Sequence, residues 1–247
     1  MTQGPASATS RMSLALRSIG SAVTVMAGGL AWASADGVGT IEGRVAFSGT
    51  PPPPTIVFEG GGVQHVLHLG ERQGLRYAVA FLAGAPTEAA GNDTPATVSQ
   101  VGFIFDPPVL AVREGQAVRF TNEDGANHNV RAEHALPANR LDAYTGAGQA
   151  HTHRFRADPG GSPVSVTCRV HPWMAAWIYV FPHPRFSVTD VGGRFRIERV
   201  PAGEHRVSIR HPAGGLARDL TVRVEAGATS RAEVVFDSSD LAPPPSP

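Results

Sequence analysis

One seven-residue run carries most of the chemistry open to this chain: Cys168-Arg169-Val170-His171-Pro172-Trp173-Met174. It sets a thiolate, an imidazole and a thioether at the spacing Cys-x2-His-x2-Met. Soft sulfur together with imidazole favours copper, and two histidines, one cysteine and a weak axial methionine form the ligand set of an electron-transfer copper centre. Cys168, His171 and Met174 supply three of those four groups. The second histidine has to arrive from elsewhere, and His128, in Asn127-His128-Asn129-Val130, is the candidate. Cys168 is the chain's one cysteine, so an internal disulfide is excluded and its thiol needs another explanation. The plain alternatives are an inert buried thiol and a core methionine. Their grouping with His171 favours coordination.

The elements around the run are strands. Pro163–Cys168 and Ala176–Phe181 alternate or continue apolar on either side of it, so a short loop between two strands presents the ligands. Pro172 stiffens that loop, and Val170, Trp173 and Trp177 are expected to shield the metal from water. Ala117–Asn122 is a strand running into the turn Glu123-Asp124-Gly125-Ala126, with His128 just beyond it. Further strands are expected at Gly39–Gly49, Val63–Leu69, Leu75–Ala83, Val98–Ile104, Val109–Val112 and His151–Phe155. A last block of strands runs from Phe186 to Phe236, with turn residues between them. Residues 84–97 read as a linker and residues 134–150 mostly as loop around one short helical turn, while 238–247 are expected to be a disordered tail. With Gly 28 and Pro 21 in 247 residues and no convincing amphipathic helix, the fold class is all-β, a turn-rich sandwich architecture.

Bulk properties narrow the function. Lys+Arg 21 balance Asp+Glu 21, so no basic surplus points to nucleic acid. No Gly-x-Ser-x-Gly occurs, and the Gly-rich turns lead into no phosphate-binding helix. Arg11 and Arg17, an apolar stretch over residues 18–32 and the small-residue site Ala33-Ser34-Ala35 read as a signal peptide over residues 1–35. The alternative is an uncleaved anchor. With cleavage, no stretch long enough to span a membrane remains, and the expected location is periplasmic or secreted. His134, His151 and His153 form a looser group, read as surface histidines in preference to a second metal site.

The Cys-Arg-Val-His-Pro-Trp-Met run with its earlier His-Asn-Val resembles the cupredoxins, and the short loop is similar to that of the amicyanin type. The resemblance covers residues 98–182. It implies a Greek-key β-sandwich and one type 1 copper ion held by His128, Cys168, His171 and Met174. It also implies that Asn129 bridges to the cysteine loop, and that His171 is the edge through which electrons pass to redox proteins docking transiently there. Thr189-Asp190-Val191-Gly192-Gly193-Arg194-Phe195 and Val200-Pro201-Ala202-Gly203 resemble the carboxypeptidase regulatory-like β-sandwich. The opening strands usual for that family stand far upstream, in Gly43-Arg44-Val45 and Ala78-Val79-Ala80-Phe81-Leu82. The expectation is one small sandwich built from residues 39–90 and 186–237, with the cupredoxin inserted between its halves. A separate N-terminal hairpin is the alternative.

The reading is thus a non-enzymatic electron carrier. Its rivals are a copper-delivery protein, an interaction module with structural copper, and a cupredoxin-like fold without metal.

Overall fold

The structure is a computed structural model. It describes Met1 and residues 37–241, apart from residues 54, 59–61, 65–66, 90, 92–93 and 213. The signal expected over residues 1–35 lies, Met1 aside, outside the described residues, as do His65 and residues 242–247.

The described residues form strands and short 3-10 turns. The first group is β1 (Val38–Phe47), β2 (Thr55–Phe58), β3 (Gly62–Gln64), β4 (His68–Leu69), β5 (Leu75–Arg76) and β6 (Val79–Leu82). The middle group is β7 (Ala96–Val101), β8 (Ile104–Asp106), β9 (Val109–Arg113), β10 (Ala117–Asn122), β11 (His128–Glu133), β12 (Leu141–Thr145), β13 (Ala150–Arg154), β14 (Val164–Thr167) and β15 (Ala175–Phe181). The last group is β16 (Phe186–Val188), β17 (Arg194–Pro201), β18 (Gly203–His211), β19 (Leu216–Val224) and β20 (Thr229–Phe236). Among the described residues no helix is long and apolar enough to cross a membrane.

The middle strands make two sheets, in the orders β13-β10-β7-β8 and β12-β11-β14-β15-β9. Alternation explains the layering. Phe120, Val118, Val130, Val166, Ile178 and Phe155 point into one buried cluster that also holds Cys168 and Met174.

The outer strands pair across the whole length of the chain. β1 lies between β17 and β20, with Gly43 opposite Phe195 and Phe47 opposite Phe236. β6 lies between β16 and β18, with Phe81 opposite Phe186 and Leu82 opposite Val207. Gly43 is required where it stands. A Cβ there would meet the Ala232 carbonyl at 2.2 Å and the Phe195 ring at 2.3 Å, so the phenyl ring lies across the bare backbone.

The two parts share β15. Its even residues Ala176 and Ile178 enter the cluster around Cys168. Its odd residues Tyr179 and Phe181, with Trp177, enter a second cluster with Tyr77, Val79 and Phe186. Within it, Phe181 stacks on Phe186 at 4.9 Å and meets Phe81 at 4.8 Å. The stretch expected to be a linker is clamped beside this cluster. The Glu88 N–H donates to Pro182 O at 2.9 Å, Arg113 donates to Glu88 O at 3.2 Å, and Arg185 pairs with the Glu88 carboxylate.

Three local expectations need correction. Val98–Ile104 is not one strand: Gly102 (φ 62) and Phe103 (φ 62) turn it into the β7–β8 hairpin, the two positive φ values of a type I′ turn. Residues 134–150 are not loop throughout: they hold a 3-10 turn at Pro137–Asn139 and β12, paired with β11 from Ala132↔Leu141 to His128↔Thr145. The tail is ordered over Ser238–Asp240, a 3-10 turn closed by an Asp237–Asp240 capping box and held by Arg218 to Asp240 at 2.7 Å.

Candidate metal centre

Two turns deliver the four side chains. β14 ends at Thr167, and Cys168 follows it into the core with 2% of its surface exposed. In the loop, the Met174 N–H donates to His171 O at 3.0 Å, closing a four-residue turn with Pro172 at its second position. Proline presets φ for that position, so the loop is fixed by its own backbone. Met174 is buried before β15 in the cluster with Cys168. His128 opens β11, fully buried. His171 alone of the four is partly exposed.

His128, Cys168 and His171 each offer a donor atom, and these atoms lie within 4.8 Å of one another. The two imidazoles face each other, Nδ1 to Nδ1, at 2.9 Å. Cys168 Sγ is 3.9 Å from His171 Nδ1. Typical bonds of about 2.0 Å to nitrogen and about 2.3 Å to sulfur, as in zinc sites, allow one ion to bridge such separations. Tautomer supports the same reading. His128 Nε2 lies 2.8 Å from Asp124 Oδ2, so as a donor to that carboxylate it leaves Nδ1 with a lone pair facing His171. Two lone pairs at this distance repel unless a proton or a cation lies between them. A soft thiolate beside two imidazoles fits copper.

Asp124 is the hinge of the site, and sequence reasoning missed it. Its Oδ1 accepts the Gly102 N–H at 2.7 Å, and its Oδ2 accepts the Phe103 N–H at 3.0 Å as well as contacting His128. Burial pushes the Asp124 carboxyl up, but the Phe103, His128 and Gly102 hydrogen bonds outweigh it and hold the group below its ordinary value of 3.8. The same bonds seat the β7–β8 turn over the site. The Phe103 ring lies edge-on to His128 at 5.6 Å and to His171 at 4.9 Å. Trp173 flanks His171 at 5.3 Å, and its indole N–H donates to Phe103 O at 3.1 Å. Burial, with His128 beside it, holds the His171 imidazole below 6.5, against an opposing pull from Asp124.

The expected apolar surround is therefore partly wrong. Val170 is exposed and Trp177 packs on the far face of β15; Phe103 does the shielding assigned to them. Asn129 stands where expected. Its backbone N–H donates to Cys168 Sγ at 3.3 Å, and its Oδ1 accepts the Arg169 N–H at 3.4 Å.

His134, His151 and His153 join no group of three metal donors among the described residues. His134 Nδ1 accepts the Leu136 N–H at 3.0 Å, and His153 Nε2 lies 3.1 Å from Ala138 O. Both tie the β11–β12 connection down.

No protein-family model matches this chain, and no curated protein matches it. Solved structures do, and the following three each align over part of the chain. A Cu-containing nitrite reductase (NirK) from Thermus scotoductus SA-01 aligns at 24% identity over 39% of this chain and 25% of that one, with a TM-score of 0.33. A purple cupredoxin from Nitrosopumilus maritimus aligns at 18% identity over 35% of this chain and 99% of that one, with a TM-score of 0.30. A mutant of amicyanin in its Cu(I) form aligns at 20% identity over 41% of this chain and 98% of that one, with a TM-score of 0.32. This chain thus spans a quarter of the reductase and nearly all of the two small proteins.

Proposed function

We propose that this chain is an exported type 1 copper protein that carries single electrons between redox proteins, with His128, Cys168, His171 and Met174 as its ligands. One observation carries the reading: three donor atoms from turns some forty residues apart lie within 4.8 Å of one another, with the thiol buried. Copper, when bound, supplies a one-electron couple with a soft thiolate ligand. The protein's own groups do the rest. Asp124 orients His128 and fixes its tautomer. The Asn129 N–H on Cys168 Sγ withdraws electron density from sulfur, which favours the reduced site. Phe103 and Trp173 keep water from the imidazoles. His128, Cys168 and Met174 are buried, which leaves little room for a substrate at the ion and favours electron transfer over turnover. His171 is the outlet, beside the exposed Pro172 and Val170. Transient redox partners, docking on a small surface, fit that edge.

The pairing of β1 with β17 and of β6 with β16 and β18 supports a second proposal. The flanking strands form one regulatory-like sandwich, and the copper module is inserted in it.

Addition of Cu(II) to the purified chain tests the first reading. Intense visible thiolate-to-copper absorption is expected, absent in Cys168→Ser, with a reversible one-electron wave in voltammetry. Binding of Cu(I) with no such band would replace electron transfer with copper delivery.

A further inference from the structure

The strands that carry the site part company just where it begins. The β11–β14 ladder runs Glu133↔Ser165, Ala132↔Val166 and Arg131↔Thr167, and stops there. Asn129 and Cys168 both lie beyond the last paired residues. No sheet hydrogen bond therefore aims the Asn129 N–H at Cys168 Sγ. β12 does stay with β11, as far as Asn129↔Tyr144 and His128↔Thr145. A lateral tie from β12 to the cysteine loop would close the gap, and one is present. Asp142 on β12 takes the Asn129 side-chain N–H on Oδ1 at 2.8 Å and the Arg169 guanidinium on Oδ2 at 2.6 Å. The Arg169 backbone N–H reaches Asn129 Oδ1 at 3.4 Å. Asn129, Asp142 and Arg169 form a closed ring around the thiol's hydrogen bond, and the carboxylate uses both oxygens in it.

We propose that Asp142 and Arg169 are positioning residues: their ion pair clamps the Cys168 loop to β12 and so holds the Asn129 amide on the sulfur. The consequence for the metal rests on the copper reading above. The clamp itself does not, because it acts on the thiol with or without metal. Both side chains are about half exposed, at 56% for Arg169 and 49% for Asp142, so the pair is screened by salt and its effect is modest.

The test uses the full chain, whose one cysteine makes thiol chemistry unambiguous. In the metal-free protein, iodoacetamide should alkylate Cys168 about fivefold faster in Asp142→Ala and in Arg169→Ala than in wild type, the size expected of a half-exposed pair. Raising salt to about 1 M, where the screening length falls to about 3 Å, should bring wild type toward the variants and leave theirs unchanged. The exchanged pair Asp142→Arg with Arg169→Asp remakes the ion pair but gives Asn129 no acceptor at 142, so it should restore part of the protection, which mere loss of packing would not. Asp142→Asn, which keeps an acceptor for Asn129, should fall between and covers the case in which alanine unfolds the loop. With copper bound, both alanine variants should show a lowered reduction potential. Wild-type alkylation rates in the single variants at low salt would overturn the clamp. An absent visible band in wild type would overturn the copper reading, and the metal-free rates would still decide the clamp.

Discussion

Replacing Asp124 by alanine isolates the residue on which the site turns. The carboxylate accepts the Gly102 N–H, the Phe103 N–H and the His128 imidazole N–H. Hydrogen bonds to a charged group contribute about 1.5–3 kcal/mol each, less where water can replace the partner. Gly102 is exposed and recovers most of its loss from solvent, and Phe103 is half-buried. His128 is fully buried, so its Nε2–H would be left unpaired at about 1–3 kcal/mol. The sum for Asp124→Ala is about 2–4 kcal/mol at neutral pH, read as a lower urea midpoint of the metal-free chain. The pH dependence has a definite sign. A carboxyl held below its ordinary 3.8 stabilises the fold fully above that value and loses its contribution as pH falls through the lowered native value. The gap between wild type and variant should therefore be full well above 3.8 and narrow as pH falls below it. Copper affinity should drop about 10–100-fold, because His128 loses the partner that orients it. Equal urea midpoints at pH 7, or a gap that persists unchanged into strong acid, would refute the assignment of Asp124 as the anchor.

Two further outcomes are expected. Phe103→Ala removes the ring lying over both imidazoles, so a chelator should strip copper about three- to tenfold faster, the worth of one aromatic contact, with little change in far-UV circular dichroism. His211 is buried, and burial, with His68 nearby, lowers its pKa to about 4 against a weaker opposing contact from the Arg76 backbone. The unfolded chain then binds the proton first, so stability should fall as pH drops from 6.5 toward 4; His211→Leu should flatten that slope and raise the urea midpoint. An unaltered slope would leave His183, lowered to about 4 by burial and the Arg185 charge, and the lowered His171 as its sources.

The candidate loop was legible because covalent spacing alone puts Cys168, His171 and Met174 within seven residues, and the flanking alternation marks the strands that hold it. Asp124 was not legible as a site residue. In sequence it is one acid of a Glu-Asp-Gly turn, and its importance comes from a hairpin some twenty residues upstream that only folding brings across. Within that hairpin, Gly102 was the one available signal, set in an otherwise unbroken apolar run. β12 hid for another reason. Leu141, Asp142 and Ala143 have little strand propensity of their own, and their conformation is set by β11 and by the Asn129 side chain. Trp177 was assigned to the wrong side because it was read by proximity to the loop. Its parity along β15 places it opposite Ala176 and Ile178.

That parity has a consequence for how the loop can change. β15 serves two cores with alternate residues, and its partner β9 holds it from Trp177↔Val109 to Phe181↔Arg113. A slip by one residue would drive Tyr179 and Phe181 into the space of Ile178 and turn Ala176 and Ile178 toward the aromatic cluster, leaving both cores misfilled. Insertions between Cys168 and Ala175 must therefore bulge into solvent and leave the strand's phase untouched. The loop can lengthen only outward, whereas the docking of the aromatic face on its neighbour permits no compensating shift.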